Sequence, residues 1–189
     1  MVNFPPLSPS SAWFAEFLKE LSVSATIPTA IAVANRVVAF KDFSRYGLLD
    51  LRGERRILSV AVKGGNRQLR NINQDSDLRL SEHGDWRRVH LGTLEAVLGR
   101  NPFFRDIQTR IRDVYENKNI SSLEEFNLAI FQVIYTFLFE GMEISHLKNY
   151  FPNPVIRERG KEIATQINFD VSILEALSIY GKETILGLI

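Results

Sequence analysis

The chain has 189 residues, 45% of them hydrophobic and 24% charged, with no cysteine and a formal net charge of +1. This is the composition of an ordinary soluble globular protein, long enough for one domain with a proper core, expected over residues 1–189. The lack of cysteine excludes a disulfide framework, a thiolate nucleophile and a zinc–thiolate site, and it suits a reducing compartment.

The opening Met1-Val-Asn-Phe-Pro-Pro has neither the basic n-region nor the apolar h-region of a signal peptide. The longest apolar run, residues 128–139, falls short of the roughly 20 helical residues that span a bilayer. No membrane span and a cytoplasmic location are therefore expected. The small net charge conceals an asymmetry. Residues 52–112 carry 13 Lys and Arg against 7 Asp and Glu, while the remainder carries 10 against 15. Arginine forks suit phosphate and carboxylate, so the basic stretch admits an anionic partner as well as a set of solvated faces. Its cations are scattered over strands and helices, and no nucleic-acid module is legible, so nucleic acid is not an expected partner.

In chain order, Pro5, Pro6 and Pro9 with Ser8, Ser10 and Ser11 make an opening loop. Ser10 or Ser11 then caps a helix running to about Leu21, with Trp13, Phe14, Phe17, Leu18 and Leu21 facing inward. Residues 31–40, rich in Ala and Val and starting after Pro28, read as a strand. Residues 48–51 and 56–62 flank the turn signal Arg52-Gly53-Glu54 and read as a hairpin, with Leu58, Val60 and Val62 on one face. Gly64-Gly65-Asn66 marks a second turn, residues 68–73 another short strand, and residues 74–83 a polar loop.

The second half reads as helical. Asp85 is placed to cap a helix starting at Trp86, and Gly99 to end it in a left-handed conformation. Asn101-Pro102 supplies the cap and first-turn proline of the next helix, whose apolar stripe is Phe104, Ile107, Ile111 and Val114. Ser122 and Glu125 have capping-box spacing ahead of residues 123–139, a helix apolar nearly all round and therefore central to the core. Gly141 stops it. Residues 151–154 form a rigid Pro-rich loop, residues 163–169 are ambiguous, and Asp170 is placed to cap a short helix ending near Gly181. Together these elements predict an α/β fold: a single domain with a small mixed β-sheet and a helical C-terminal half.

Chemical templates are sparse. Gly64-Gly65 lacks both the Lys-Ser/Thr and the helix of a phosphate-binding loop, and no serine stands in a Gly-x-Ser-x-Gly elbow. His83, His90 and His146 lack metal-ligand spacing, so neither a metal nor any other cofactor is expected. The informative stretch is Trp86-Arg-Arg-Val-His90. Trp86, Val89, His90, Thr93, Leu94, Val97 and Leu98 follow the three-and-four spacing of one helical face, with Arg87 and Arg88 on the outer face. An imidazole on an apolar face needs partners for its nitrogens. His90 is therefore either a general acid or base, with an intrinsic pKa near neutrality, or a core histidine satisfied by a backbone carbonyl. Trp86 either packs or stacks on a ligand ring. Asn127, on the apolar helix, must be hydrogen-bonded to another element or to a ligand.

Several segments, taken together, carry a resemblance. They are Phe4-Pro5-Pro6-Leu7, Ile57-Leu58-Ser59-Val60-Ala61-Val62, Trp86 with His90, and Asn101-Pro102-Phe103-Phe104. Leu123 with Phe126-Asn127, and Val171-Ser172-Ile173-Leu174-Glu175 followed by Gly181, complete the set. In this order they resemble the WbqC-like family of bacterial proteins, associated with O-antigen and other surface-polysaccharide gene clusters. On the family's Lys-x-Ser-Tyr-x-Asn-Arg-like segment, Lys41 and Arg45 can be placed. Tyr46 and Gly47 follow, and the segment's Asn and second Arg are absent. That departure removes two polar groups able to grip an anionic or carbonyl substrate.

The resemblance implies a transferase-type enzyme of lipopolysaccharide, O-antigen or other surface-polysaccharide biosynthesis, acting on an activated sugar or acyl donor. His90 would then be catalytic, with Lys41, Arg45, Trp86 and Asn127 binding substrate in one pocket. The implied partner is an anionic small molecule, a nucleotide sugar or an acyl carrier; self-association is left open. The alternative is a non-catalytic ligand-binding or scaffold member that kept the fold and lost part of the polar site.

Overall fold

The protein, seen in a computed structural model, is described over residues 4–23, 26–38, 45–49, 54–65, 78–139 and 172–187. Among these residues the fold is α/β and mostly helical. Its helices are α1 (Ser11–Val23), α2 (Ile27–Val37), α3 (Trp86–Leu98), α4 (Phe104–Glu116), α5 (Leu123–Leu138) and α6 (Ile173–Gly187). Strands β1 (Arg45–Leu49) and β2 (Arg55–Ser59) form an antiparallel pair running from Arg45 opposite Ser59 to Leu49 opposite Arg55. The hairpin is as expected with its ends shifted, and the sheet among the described residues is antiparallel rather than mixed. Lys41, the turn at residues 50–53, the strand expected at 68–73, Gly141, the segments 151–154 and 163–169, and Asp170 lie outside the described residues.

The opening loop is tied down from both sides. Ser10 Oγ accepts from the Trp13 amide and so caps α1, and the Ile173 amide donates 3.0 Å to the Pro9 carbonyl. The inward face of α1 is as expected: Trp13 and Phe17 stack at 5.6 Å, and the Phe131 ring of α5 meets both edge-on. Residues 31–37 of the strand expected at 31–40 are a correction. They belong to α2, because Thr26 stands extended and accepts from the Thr29 amide, Pro28 sits in the first turn, and Ile27, Ala30, Ile31 and Ala34 bury one helical stripe. A short apolar run with alternating Ala and Val fits either period, and here the cap and the alanines decide for helix.

The hairpin continues beyond its formal end. Val62 bridges Leu80, and Arg79 bridges Ser122, so residues 61–63, 78–81 and 121–123 lie side by side. The Lys63, Leu80, Ser81 and Leu123 amides each donate at 2.8 Å, to the Arg79, Ser121, Ala61 and Leu78 carbonyls respectively. Val60 and Val62 face the core from this ladder, as expected; Leu58 is only half-buried. Gly64 and Gly65 make the expected turn, both at positive φ.

Several helix ends differ from expectation. Asp85 stands before α3 at φ 47° and gives it no side-chain cap; its carboxylate pairs with Arg88 instead. Gly99 is right-handed, not left-handed, and is glycine because a Cβ there would collide with the Glu95 carbonyl oxygen. Asn101 does not cap α4, which starts at Phe104. Its amide donates 2.8 Å to the Ser178 hydroxyl and so clasps α6. The α4 stripe and the Ser122–Glu125 capping box of α5 are as expected. At α6, Ser172 accepts from the Glu175 amide at the cap position.

Candidate functional site

Helix α3 buries Trp86, Arg87, His90, Leu94 and Leu98, a stripe of four-residue steps that is rotated from the expected one and leaves Val89 53% exposed. The rotation carries Arg87 inward, a correction to its expected surface position. Its guanidinium is stacked over the Trp86 and Phe126 rings at 5.0 and 5.6 Å. It donates to the Tyr115, Asn117 and Ile120 carbonyls and pairs with Glu82. A fork of five donors can satisfy several carbonyls at once, which lets this cation be buried. Arg88 is exposed, as expected.

His90 is 3% exposed, one turn from Trp86, with ring centroids 5.2 Å apart and the Tyr115 ring at 6.1 Å. Its Nε2 lies 3.0 Å from the Ser59 carbonyl at the end of β2. A carbonyl only accepts, so Nε2 carries the hydrogen and Nδ1 the lone pair. Nδ1 is buried with no hydrogen-bond partner. Burial pushes the imidazole pKa down to about 4, against a smaller upward pull from the Ser59 bond. The ring is therefore neutral at pH 7.

The structure brings some of the expected site residues together and not others. Trp86 and His90 adjoin, and the Trp86 indole donates 2.6 Å to the Ser81 carbonyl. Arg45 lies exposed on β1 opposite Ser59, the residue that holds His90. Asn127 is fully buried and donates 2.9 Å to the Pro5 carbonyl, tying α5 to the opening loop.

A cleft formed by described residues lies beside this group. A cavity of about 860 Å³ is lined by Val62, Lys63, Gly64, Arg79, Leu80, Ser81, Glu82, His83, Lys118, Ile120 and Ser121. Its size falls in the range of small-molecule sites. Three cations face it from three separate segments, and none of Arg45, Trp86, His90 and Asn127 lines it. Sequence reasoning missed these residues individually. The signal was the basic excess of residues 52–112, which holds Lys63 and Arg79. Arg87 builds the cleft from behind, gripping the carbonyls around Lys118 while pairing with Glu82.

Residues 41–177, well over half of the chain, match the WbqC-like protein family. The chain belongs to that family. No curated protein and no solved structure matches it. The matched stretch of this WbqC-like protein contains the hairpin, the cation-lined cleft, and all of α3, α4 and α5. Among the described residues no helix is long and apolar enough to cross a membrane, and no group of His, Asp and Glu is gathered for a metal ion.

Proposed function

We propose that this WbqC-like protein is a transferase-type enzyme of bacterial lipopolysaccharide, O-antigen or other surface-polysaccharide assembly. It takes an activated sugar or acyl donor by that donor's phosphate. The observation that carries this reading is the cleft, where Lys63, Arg79 and Lys118 converge on a cavity of about 860 Å³. Cations gathered on a concave surface raise the local concentration of an anion and orient it. In this reading Lys41 and Arg45 hold further negative charge, Trp86 braces the cleft wall through the Ser81 carbonyl, Asn127 holds α5 to the opening loop behind it, and His90 moves a proton through Nδ1.

A second reading, a binding or scaffold protein without turnover, is favoured by His90 itself. A neutral ring with a pKa near 4, 3% exposed and bonded to main chain, is a weak base and no acid near pH 7. Thermal unfolding with nucleotide sugars and acyl-phosphopantetheine donors, paired with turnover by the intact chain and by His90→Ala, separates the two. A donor at about 100 times its Kd adds roughly 2.7 kcal/mol, hence several degrees in Tm. Stabilisation with transfer that His90→Ala abolishes supports the enzyme. Stabilisation with no transfer to any acceptor supports the binding protein, and no stabilisation by any donor overturns the enzyme and leaves the scaffold.

A further inference from the structure

Lys63 and Arg79 occupy opposite positions in the ladder, since Val62 bridges Leu80 and the Lys63 amide donates 2.8 Å to the Arg79 carbonyl. Directly paired residues project to the same face, and here both line the cleft. Lys63 has no ion pair with any described residue, which leaves its ammonium open to an anion in the cleft, and the five-donor guanidinium fork of Arg79 lies opposite it with one arm donating 2.8 Å to the Ser121 hydroxyl. The other end of the cleft has a different character. Glu82 Oε1 is held by Arg87 at 3.3 Å and Oε2 by Lys118 at 3.4 Å, and the His83 side chain stands beside them. A carboxylate held between two cations offers phosphate no donor but accepts from hydroxyls, and an imidazole donates or accepts. The apolar lining is confined to Val62, Leu80 and Ile120, too little to sheathe an acyl arm.

We propose that this cleft is a glycosyl-phosphate site, with Lys63 and Arg79 taking the phosphate end of the ligand and Glu82, His83 and Lys118 taking its sugar hydroxyls. The assignment rests on the transferase reading above only for what is done with the ligand, not for its binding. Of the two donor classes it selects the glycosyl over the acyl.

Calorimetric titration of the intact chain with inorganic pyrophosphate, UDP-glucose and acetyl-CoA tests it, with Lys63→Ala and Glu82→Gln as variants. Both side chains are exposed, and circular dichroism with the unfolding midpoint establishes that each variant is folded. Pyrophosphate and UDP-glucose are expected to compete for one site. Lys63→Ala weakens both about tenfold, the scale of one lost charge-assisted hydrogen bond. Glu82→Gln weakens UDP-glucose several-fold and leaves pyrophosphate unchanged or tighter. The proposal is overturned if Lys63→Ala leaves pyrophosphate binding intact, if Glu82→Gln weakens both ligands equally, or if none of the three probes binds. Acetyl-CoA binding in place of UDP-glucose overturns the glycosyl assignment while the transferase reading stands on an acyl donor. UDP-glucose binding with the expected variant pattern but no transfer supports the site and overturns the transferase reading.

Discussion

Replacing His90 by Gln removes a titrating ring while keeping an N–H that reaches the Ser59 carbonyl, and so isolates the energetic role of the buried imidazole. The ring protonates near pH 4 in the folded chain against 6.5 for an unperturbed histidine, chiefly because burial withholds water from the charged form. Between those two values the unfolded chain binds the proton and the folded chain does not, so stability rises with pH. The contribution is fully present above about pH 6.5, is lost as pH falls through that window, and levels off below pH 4. About 2.5 units at 1.36 kcal/mol each gives roughly 3 kcal/mol. Glu95, held low by Arg112 and Gln108, and Glu125, held low chiefly by the Ser121 amide, lose stability in more acidic solution, and they do so in both proteins. The difference between the two proteins therefore reports His90 alone. Urea unfolding at half-unit steps from pH 7.5 to 4 should show wild type losing about 3 kcal/mol more than His90→Gln over this range. Parallel curves for the two proteins would refute a neutral, sealed imidazole and would place the ring in contact with water or with an acid.

Other consequences follow from named contacts. Arg87→Met keeps the stacking volume but strands the Tyr115, Asn117 and Ile120 carbonyls; a loss of roughly 1–3 kcal/mol is expected in urea unfolding. Arg88→Ala, one residue along and exposed, should leave the midpoint unchanged. Asn127→Leu removes the donor to the Pro5 carbonyl and is expected to cost about 1–3 kcal/mol, together with faster amide exchange in the opening loop. Ser122→Ala breaks the α5 capping box and should cost about 1 kcal/mol by the same measurement. Gly181→Ala puts a Cβ 2.9 Å from the Phe103 ring at φ 76°, and a lowered Tm without loss of helical signal is expected.

Periodic helices were legible from the sequence wherever one strong pattern stood alone: the aromatic face of α1, the α4 stripe and the Ser122–Glu125 box all name their elements. Legibility failed where two patterns overlap. Residues 31–37 alternate well enough for a strand, yet the Thr26 cap and the first-turn Pro28, upstream of the alternation, set a helix. Asn101 has the chemistry of a cap but spends its amide on Ser178, 77 positions away, a partner that local spacing cannot reveal. Arg87 went unrecognised for a related reason. A charged residue is assigned to the outer face by default, and only the carbonyls at the end of α4 and in its connection to α5 make its burial favourable.

The candidate site divides in the same way. Trp86 and His90 belong to one helix, so their proximity follows from the four-residue step alone. The cleft has no such local origin. Lys63, Arg79 and Lys118 meet because short extended segments zip together at Val62–Leu80 and Arg79–Ser122, while Arg87 pulls in the connection that carries Lys118. Isolated bridges leave almost no periodic trace, since two or three residues cannot establish an alternation. Charge balance survives this loss of pattern because it sums over a stretch and needs no register. That is why the basic excess of residues 52–112 admitted an anion as well as solvated faces while the residues that would hold it stayed hidden. Structure turns that diffuse excess into a directional one, setting Lys63 opposite Arg79 at one end and a restrained Glu82 at the other. A site with two cations at one end and a paired, hydroxyl-accepting carboxylate at the other discriminates among anions by what each carries beyond its phosphate, and net charge alone cannot do that.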